Sequence, residues 1–106
     1  MVKKERETDI QAAICEYLTL KKVFFWRSNN VAIFSEGRFR AMPKFSRYGI
    51  PDIIAIMPPL GRFWGIEVKR PGGKLSDAQR EFSVAIQGVG GFYTVATSVD
   101  DIVKAL

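Results

Sequence analysis

Apolar positions along the chain change period several times, and each change marks a predicted element. Ile10, Ala13, Ile14, Tyr17 and Leu18 recur at helical spacing while Glu5, Arg6, Asp9 and Glu16 fall largely elsewhere. Roughly residues 6–21 therefore read as an amphipathic helix with one face to pack. Residues 23–28, aromatic and β-branched, read as a strand. Residues 31–34 and 38–42 flank Ser35-Glu36-Gly37 in the manner of a short hairpin. Residues 50–57 are nearly continuously apolar apart from Pro51 and Asp52, the pattern of a strand buried on both faces. Pro58-Pro59-Leu60-Gly61 then turns the chain into a partner strand over 62–69.

Pro71-Gly72-Gly73 ends that strand, and helical spacing resumes over 76–89 through Ala78, Phe82, Ala85, Ile86 and Val89 until glycines at 88, 90 and 91 stop it. Residues 92–96 read as a short strand. Ser98 with Asp101 resembles a capping box opening a last helix that carries Val99, Ile102, Val103 and Leu106. The order predicts an α/β fold, a mixed central sheet flanked by helices. With 106 residues and no internal repeat, low-complexity tract or linker, residues 1–106 are expected to form one domain.

Composition narrows the chemistry. Hydrophobic residues make up 47% and charged residues 25%, the balance of a soluble globular protein. Sixteen Lys and Arg against eleven Asp and Glu give a net charge of +5, which favours a polyanionic partner such as nucleic acid, although a merely basic surface has the same charge. Cys15 is the only cysteine, so an intrachain disulfide and a Cys-rich zinc site are excluded, and a reducing, cytoplasmic setting is expected. Its apolar helical surroundings read as those of a small core residue rather than a nucleophile. The absence of histidine excludes a Ser-His or Cys-His triad, a His-ligated zinc and a His general base. The charged start MVKKERETDIQ does not resemble a secretion signal, and no apolar run approaches the ~20 residues of a membrane helix. Neither a membrane partner nor a small-molecule organic cofactor is expected.

What chemistry there is must run on carboxylates and lysine, for which a hard metal ion is a natural partner. Alternation along 62–69 puts Glu67 and Lys69 on one strand face and Ile66 and Val68 on the other. A hairpin through the Pro-Pro-Leu-Gly turn would bring Asp52 to Glu67. Two neighbouring carboxylates repel, and a hard divalent cation such as Mg2+ or Mn2+ relieves that repulsion. Such an ion can activate water and stabilise charge on a phosphodiester oxygen, while Lys69 orients the water or offsets developing charge. Each residue also has a plainer reading: E-x-K is common on exposed strands, and Asp52 follows Pro51 as a turn residue would. The combination, polar residues at the ends of two apolar strands, points to phosphodiester hydrolysis.

At these residues the chain resembles a known family. GIPDIIAIM followed by GRFWGIEVKRPGGKLSDAQREF is similar to the PD-(D/E)XK nucleases, with their restriction-endonuclease-like core, and specifically to the virus-type replication-repair nuclease (VRR-NUC) domain. The similarity runs from about Glu7 to Val95. It is carried by the joint pattern G-x-P-D, I-E-V-K and G-G-K-L-S-x-x-Q. It implies a mixed sheet flanked by helices, Asp52 and Glu67 as acidic metal ligands, the Val68 carbonyl as a further ligand, and Lys69 as the catalytic lysine. Glu7 matches the acidic residue of the family's first helix and lies one turn from Gln11, so the two could address the site together; it also suits the positive end of its helix. Gln79 matches the family's glutamine, a further catalytic candidate, yet Ser76-Asp77-Ala78-Gln79 is equally a capping box. The resemblance further implies a homodimer that cuts branched DNA such as four-way junctions, two-fold symmetry placing two sites on two strands. Flap-type or nonspecific cleavage, and a noncatalytic nucleic-acid-binding module, are the alternatives. A virus or phage origin is compatible with the family.

Cations for the DNA backbone are plentiful: Lys4, Lys21, Lys22, Arg27, Arg38, Arg40, Lys44, Arg47, Arg62, Arg70 and Lys74. Arg27, Lys44, Arg47, Arg70 and Lys74 flank the proposed site in sequence and are the preferred DNA-binding residues. Phe39, Phe45 and Tyr48 interleave with the central cations, where aromatic rings could stack on an unpaired base. Aromatics usually bury, so a core or interface place is expected for them, and Trp26 and Trp64 are assigned to packing.

Overall fold

The computed structural model describes residues 6–28, 34–35, 38–39 and 43–106. Within them the chain runs α1 (Glu7–Leu20), β1 (Phe24–Arg27), β2 (Phe34–Ser35), β3 (Arg38–Phe39), β4 (Ile53–Met57), β5 (Arg62–Val68), α2 (Asp77–Gly88), β6 (Phe92–Ala96) and α3 (Val99–Ala105). These are the elements that the hydrophobic periodicities predict. β2 and β3 pair antiparallel with Phe34 opposite Phe39. The rest of that predicted hairpin, 31–33, 36–37 and 40–42, lies outside the described residues, as do Lys4, Arg40 and the side chains of Arg38 and Phe39.

The main sheet has the order β1-β4-β5-β6. β1 and β5 both run antiparallel to β4, whereas β6 runs parallel to β5. The mixture follows from the connections: a tight turn joins β4 to β5, while the parallel pair needs a crossover, which α2 supplies. Ile53, Ala55, Trp64, Ile66, Val68 and Ala96 bury one sheet face under Ile10, Ile14 and Leu18 of α1 and Ile102 of α3. Trp64 is fully buried there, and its indole N–H is not orphaned, since it donates to Thr94 Oγ1 at 2.9 Å. Cys15 packs against the same cluster, and burial pushes its thiol pKa up against the opposing pull of Arg27, as suits a packing residue.

Four expectations are corrected. β4 is not buried on both faces: Ile53, Ala55 and Met57 are buried, Ile54 and Ile56 only half so. The crossover explains why, since α2 must lie over β5 and β6, where Phe63 meets Phe82 at a ring-centroid distance of 6.3 Å. The β1/β4 end of that face is therefore left open, and Trp26, assigned to packing, meets the Phe24 ring but stays 45% exposed. Phe45 and Tyr48 also lie outside the core. Finally, the Ser98–Asp101 capping box does not form: the Asp101 carboxylate accepts from the Thr97 N–H at 2.8 Å and from the Thr97 hydroxyl at 3.3 Å.

Candidate active site

The register that builds the sheet also builds a carboxylate pair. Ile53 faces Ile66 across the β4–β5 ladder, so one further step of the same register sets Asp52 opposite Glu67. Asp52 lies just before β4, where the strand pairing ends. Its backbone is pinned by Ser28, whose N–H donates to the Asp52 carbonyl at 2.9 Å and whose hydroxyl donates to the Pro51 carbonyl. Its side chain is pinned from the other strand, with Oδ2 accepting the Val68 N–H at 2.8 Å. Asp52 thus caps the end of β5 while presenting its carboxyl group to Glu67.

Glu67 is 2% exposed, and its Oε1 has no hydrogen-bond partner. Burial, together with a hydrogen bond to Asp52 and the Asp52 charge, pushes its carboxyl pKa up to about 9, with Lys69 pulling the other way and Glu7 adding a small push. An unpaired buried carboxyl oxygen is costly, so the arrangement calls for a compensating positive group. Lys69 shares the Glu67 face, held there by its N–H to the Ala96 carbonyl at 2.9 Å, and is half-buried.

The sheet face that carries Glu67 has a roof made possible by Gly65. A Cβ at Gly65 would fall 2.7 Å from the Pro51 ring and 3.2 Å from the Tyr93 ring. Pro51 and Tyr93 therefore close onto the sheet two residues before Glu67, on its own face. Tyr93 Oη is also buried without a partner, and burial plus the Glu67 and Asp52 charges raise its pKa. Gly49 does the equivalent at α2: its φ is +72°, and a Cβ there would lie 2.4 Å from the Ala78 backbone and 2.6 Å from Gln79 N. The G-x-P-D segment is thereby wedged between the first turn of α2 and the sheet.

The residues named from sequence separate into three groups. Asp52, Glu67, Lys69 and the Val68 backbone come together at the ends of β4 and β5, with Glu7 near enough to act on Glu67 electrostatically. Gln79 and Gln11 are engaged elsewhere. Gln79 Oε1 accepts the Ser76 N–H at 2.8 Å and its own N–H donates to Ser76 Oγ at 3.2 Å, completing the capping box. Gln11 Oε1 accepts from Arg27 Nε at 2.6 Å. Lys44, Arg47, Arg70 and Lys74 are exposed on the loops that lead into Asp52 and out of Lys69. Ser28, Gly65 and Tyr93 escape sequence reasoning. Nothing in an isolated strand of residues 92–96 tells that Tyr93 is paired with Gly65.

Among the described residues, no group of three or more Asp, Glu, His or Cys is close enough to hold a metal by itself. The donor set nevertheless fits Mg2+, which takes one or two carboxylates and fills its other positions with water and phosphate oxygen. Two juxtaposed carboxyl groups, one with an orphaned oxygen, are the observation that supports the fit.

Comparison with known proteins agrees with the fold. A solved structure described as a VRR_NUC domain superposes with a TM-score of 0.62 at 22% identity, covering 92% of this chain and 90% of that one. A likeness at that identity establishes the shared fold. Among curated proteins no match is found. The VRR-NUC domain family matches residues 5–100, a span that includes Glu7, Asp52, Glu67, Lys69 and Gln79. The chain therefore belongs to the VRR-NUC family of nucleases.

Proposed function

We propose that the protein is a metal-dependent endodeoxyribonuclease that cuts phosphodiester bonds in branched DNA, with four-way junctions as its foremost substrate. The observation that carries the metal dependence is Glu67, buried against Asp52 with an unpaired oxygen. Asp52, Glu67 and the Val68 carbonyl would hold Mg2+ or Mn2+, with Glu7 contributing from the start of α1. When bound, the cation supplies Lewis acidity, making a water easier to ionise and offsetting negative charge on the phosphate.

The chain's own residues do the rest. Asp52 is fixed at both its backbone and its carboxylate, so the pair meets an incoming phosphate already ordered. Lys69, beside Glu67, orients the attacking water or stabilises charge on the phosphorus-bound oxygens. Tyr93 positions Glu67 from the roof, where its hydroxyl can donate to the carboxylate once that group is ionised. Gln79 fixes the first turn of α2 against Gly49 and so holds the Asp52 loop in place. Lys44, Arg47, Arg70 and Lys74 contact backbone phosphates, with Arg27 joining them from β1.

A homodimer would set two such sites on opposite strands of a junction. The open end of the sheet supports this reading. Phe24, 71% exposed, and Trp26, 45% exposed, lie across from Ile56 and Ile54 and form an apolar surface suited to a second copy. The test is cleavage of labelled four-way junction, flap, splayed-arm and plain duplex DNA in Mg2+, Mn2+ or EDTA, wild type beside Glu67→Ala. Paired symmetric cuts in the junction, dependent on metal and on Glu67, are expected. Cutting of every substrate alike would make it a nonspecific nuclease, and binding without cutting a noncatalytic module.

A further inference from the structure

The loop that leads into Asp52 carries two aromatic rings that break the usual rule of burial. Phe45 is 96% exposed and Tyr48 is 70% exposed. Phe45 is also in the left-handed backbone region, at φ +67°. The Ser46 N–H donates to the Pro43 carbonyl at 3.2 Å, which makes 43–46 a tight turn with Phe45 third in it. That position favours Gly or Asn. A bulky residue there is strained, and with its ring in water no burial offsets the strain. Stability gives no reason for a phenylalanine at this place.

The surroundings identify what the rings meet. Lys44 and Arg47, both exposed, alternate with them. Gly49, packed on the first turn of α2, anchors the loop only three residues before Asp52. Behind the ridge runs a groove of about 480 Å3, with Arg47 and Tyr48 on one wall and Glu81, Phe82 and Ile86 of α2 on the other. Glu81 would repel a phosphate, whereas an aromatic-walled groove with a carboxylate acceptor suits a base and its exocyclic amine. Cations set beside aromatic walls are the pattern of a surface that holds backbone by charge and bases by stacking.

We propose that Phe45 and Tyr48 form an aromatic ridge that stacks on unpaired bases at the branch of a DNA substrate, with Lys44 and Arg47 on the adjoining phosphates. The ridge gives the neighbouring carboxylate site its preference for branched over fully paired DNA. It rests on the nuclease reading for that consequence, but the stacking itself does not.

Binding in EDTA, where no cutting can occur, separates the two. The probes are a splayed-arm DNA with 2-aminopurine at the first unpaired position and a fully paired duplex of equal length. Phe45→Asn and Tyr48→Ala should each weaken splayed-arm binding about tenfold and change duplex binding less than about twofold. The fluorescence quenching that wild type produces should disappear in both variants, and Phe45→Trp should retain it. The Tm of Phe45→Asn should equal or exceed that of wild type, because Asn tolerates the left-handed backbone. Equal weakening on both probes, or no weakening on either, overturns the ridge. So does a change in oligomeric state with DNA binding intact, which would make the rings a contact between copies. If wild type quenches the probe yet cuts no DNA in Mg2+ or Mn2+, the catalytic reading fails and the ridge stands. If wild type cuts but the variants bind both probes normally, the reverse holds.

Discussion

Glu67 and Phe45 are opposite exceptions to the same rule. A carboxylic acid is 2% exposed at the end of β5, and a phenyl ring is 96% exposed in the loop before β4. The first is held by the whole fold: sheet register, the Pro51–Tyr93 roof, and Asp52 fastened to Ser28 beyond β1 and to Val68 of β5. The second is held only by a short turn on its anchoring glycine. Burial of a carboxyl group raises the cost of its ionisation. Exposure of a ring leaves apolar area ready for a partner. Neither residue is placed for the stability of the free chain, so substitution at either site should leave stability unchanged or raise it, while binding or turnover falls.

The largest difference is expected at Glu67. Glu67→Gln should lower turnover on the order of a thousandfold, as loss of a central electrostatic group does. Metal-free, at about pH 8, the same variant should melt no lower than wild type, because the buried acid must take up a proton on folding and the neutral amide need not. Calorimetry beside a cleavage assay checks both, and a lower Tm would mean that Glu67 is a structural residue. Gly65→Val attacks the roof itself. With Pro51 only 2.7 Å from the new Cβ, overpacking should cost about 1–3 kcal/mol in urea denaturation. A neutral outcome would show that the roof yields and does not seal the carboxyl pair.

Proton linkage provides the next effect. The Glu67 pKa is raised from an ordinary 4.5 to about 9 in the folded, metal-free chain. Between those values the folded chain keeps a proton that the unfolded chain has lost. This contribution to stability is complete below the lower value and lost as pH rises through the upper one. A bound divalent cation requires the ionised group, so the gain in Tm from saturating Mg2+ or Mn2+ should grow across the same window. Melts in EDTA and in metal at stepped pH measure this, and a gain independent of pH would detach metal binding from Glu67.

Tyr93→Phe should cut turnover about tenfold, within the range assigned to one positioned donor or less. Its hydroxyl is buried without a partner, so removing it should leave stability unchanged or raise it by about 1 kcal/mol. A destabilised Tyr93→Phe with normal turnover would assign the hydroxyl to packing alone. Smallest is Phe45→Asn, where relief of the left-handed backbone should raise stability by up to about 1 kcal/mol. Loss of stability there would show that the ring is packed in solution.

Much of this was legible in the chain. Apolar periodicity located the helices and strands, and alternation set Glu67 and Lys69 on one face before any fold was known. The absence of histidine and the single cysteine confined the chemistry to carboxylates and lysine. The motif G-x-P-D with I-E-V-K named the pair, because a turn of fixed length between two strands makes their pairing a local matter. Trp26 misled because an apolar strand signals two faces to cover but not whether the fold has layers for both. Asp101 misled because a side chain at capping distance can serve either of two neighbouring N–H groups, and local geometry chooses.

What the tertiary structure alone decided is non-local. Parallel pairing of β6 with β5 brings Tyr93 over Gly65, across an intervening helix whose length does not encode register. The fastening of Asp52 by Ser28 joins the residue that follows β1 to the one that precedes β4. Whether a ring in the central loop is buried depends on where α2 lands, and α2 lands over β5 and β6. Local sequence fixes which groups each element carries and on which side. Only the packing of elements far apart in the chain settles which of those groups lose water, and it is loss of water that turns Glu67 from an ordinary surface acid into one whose ionisation is costly.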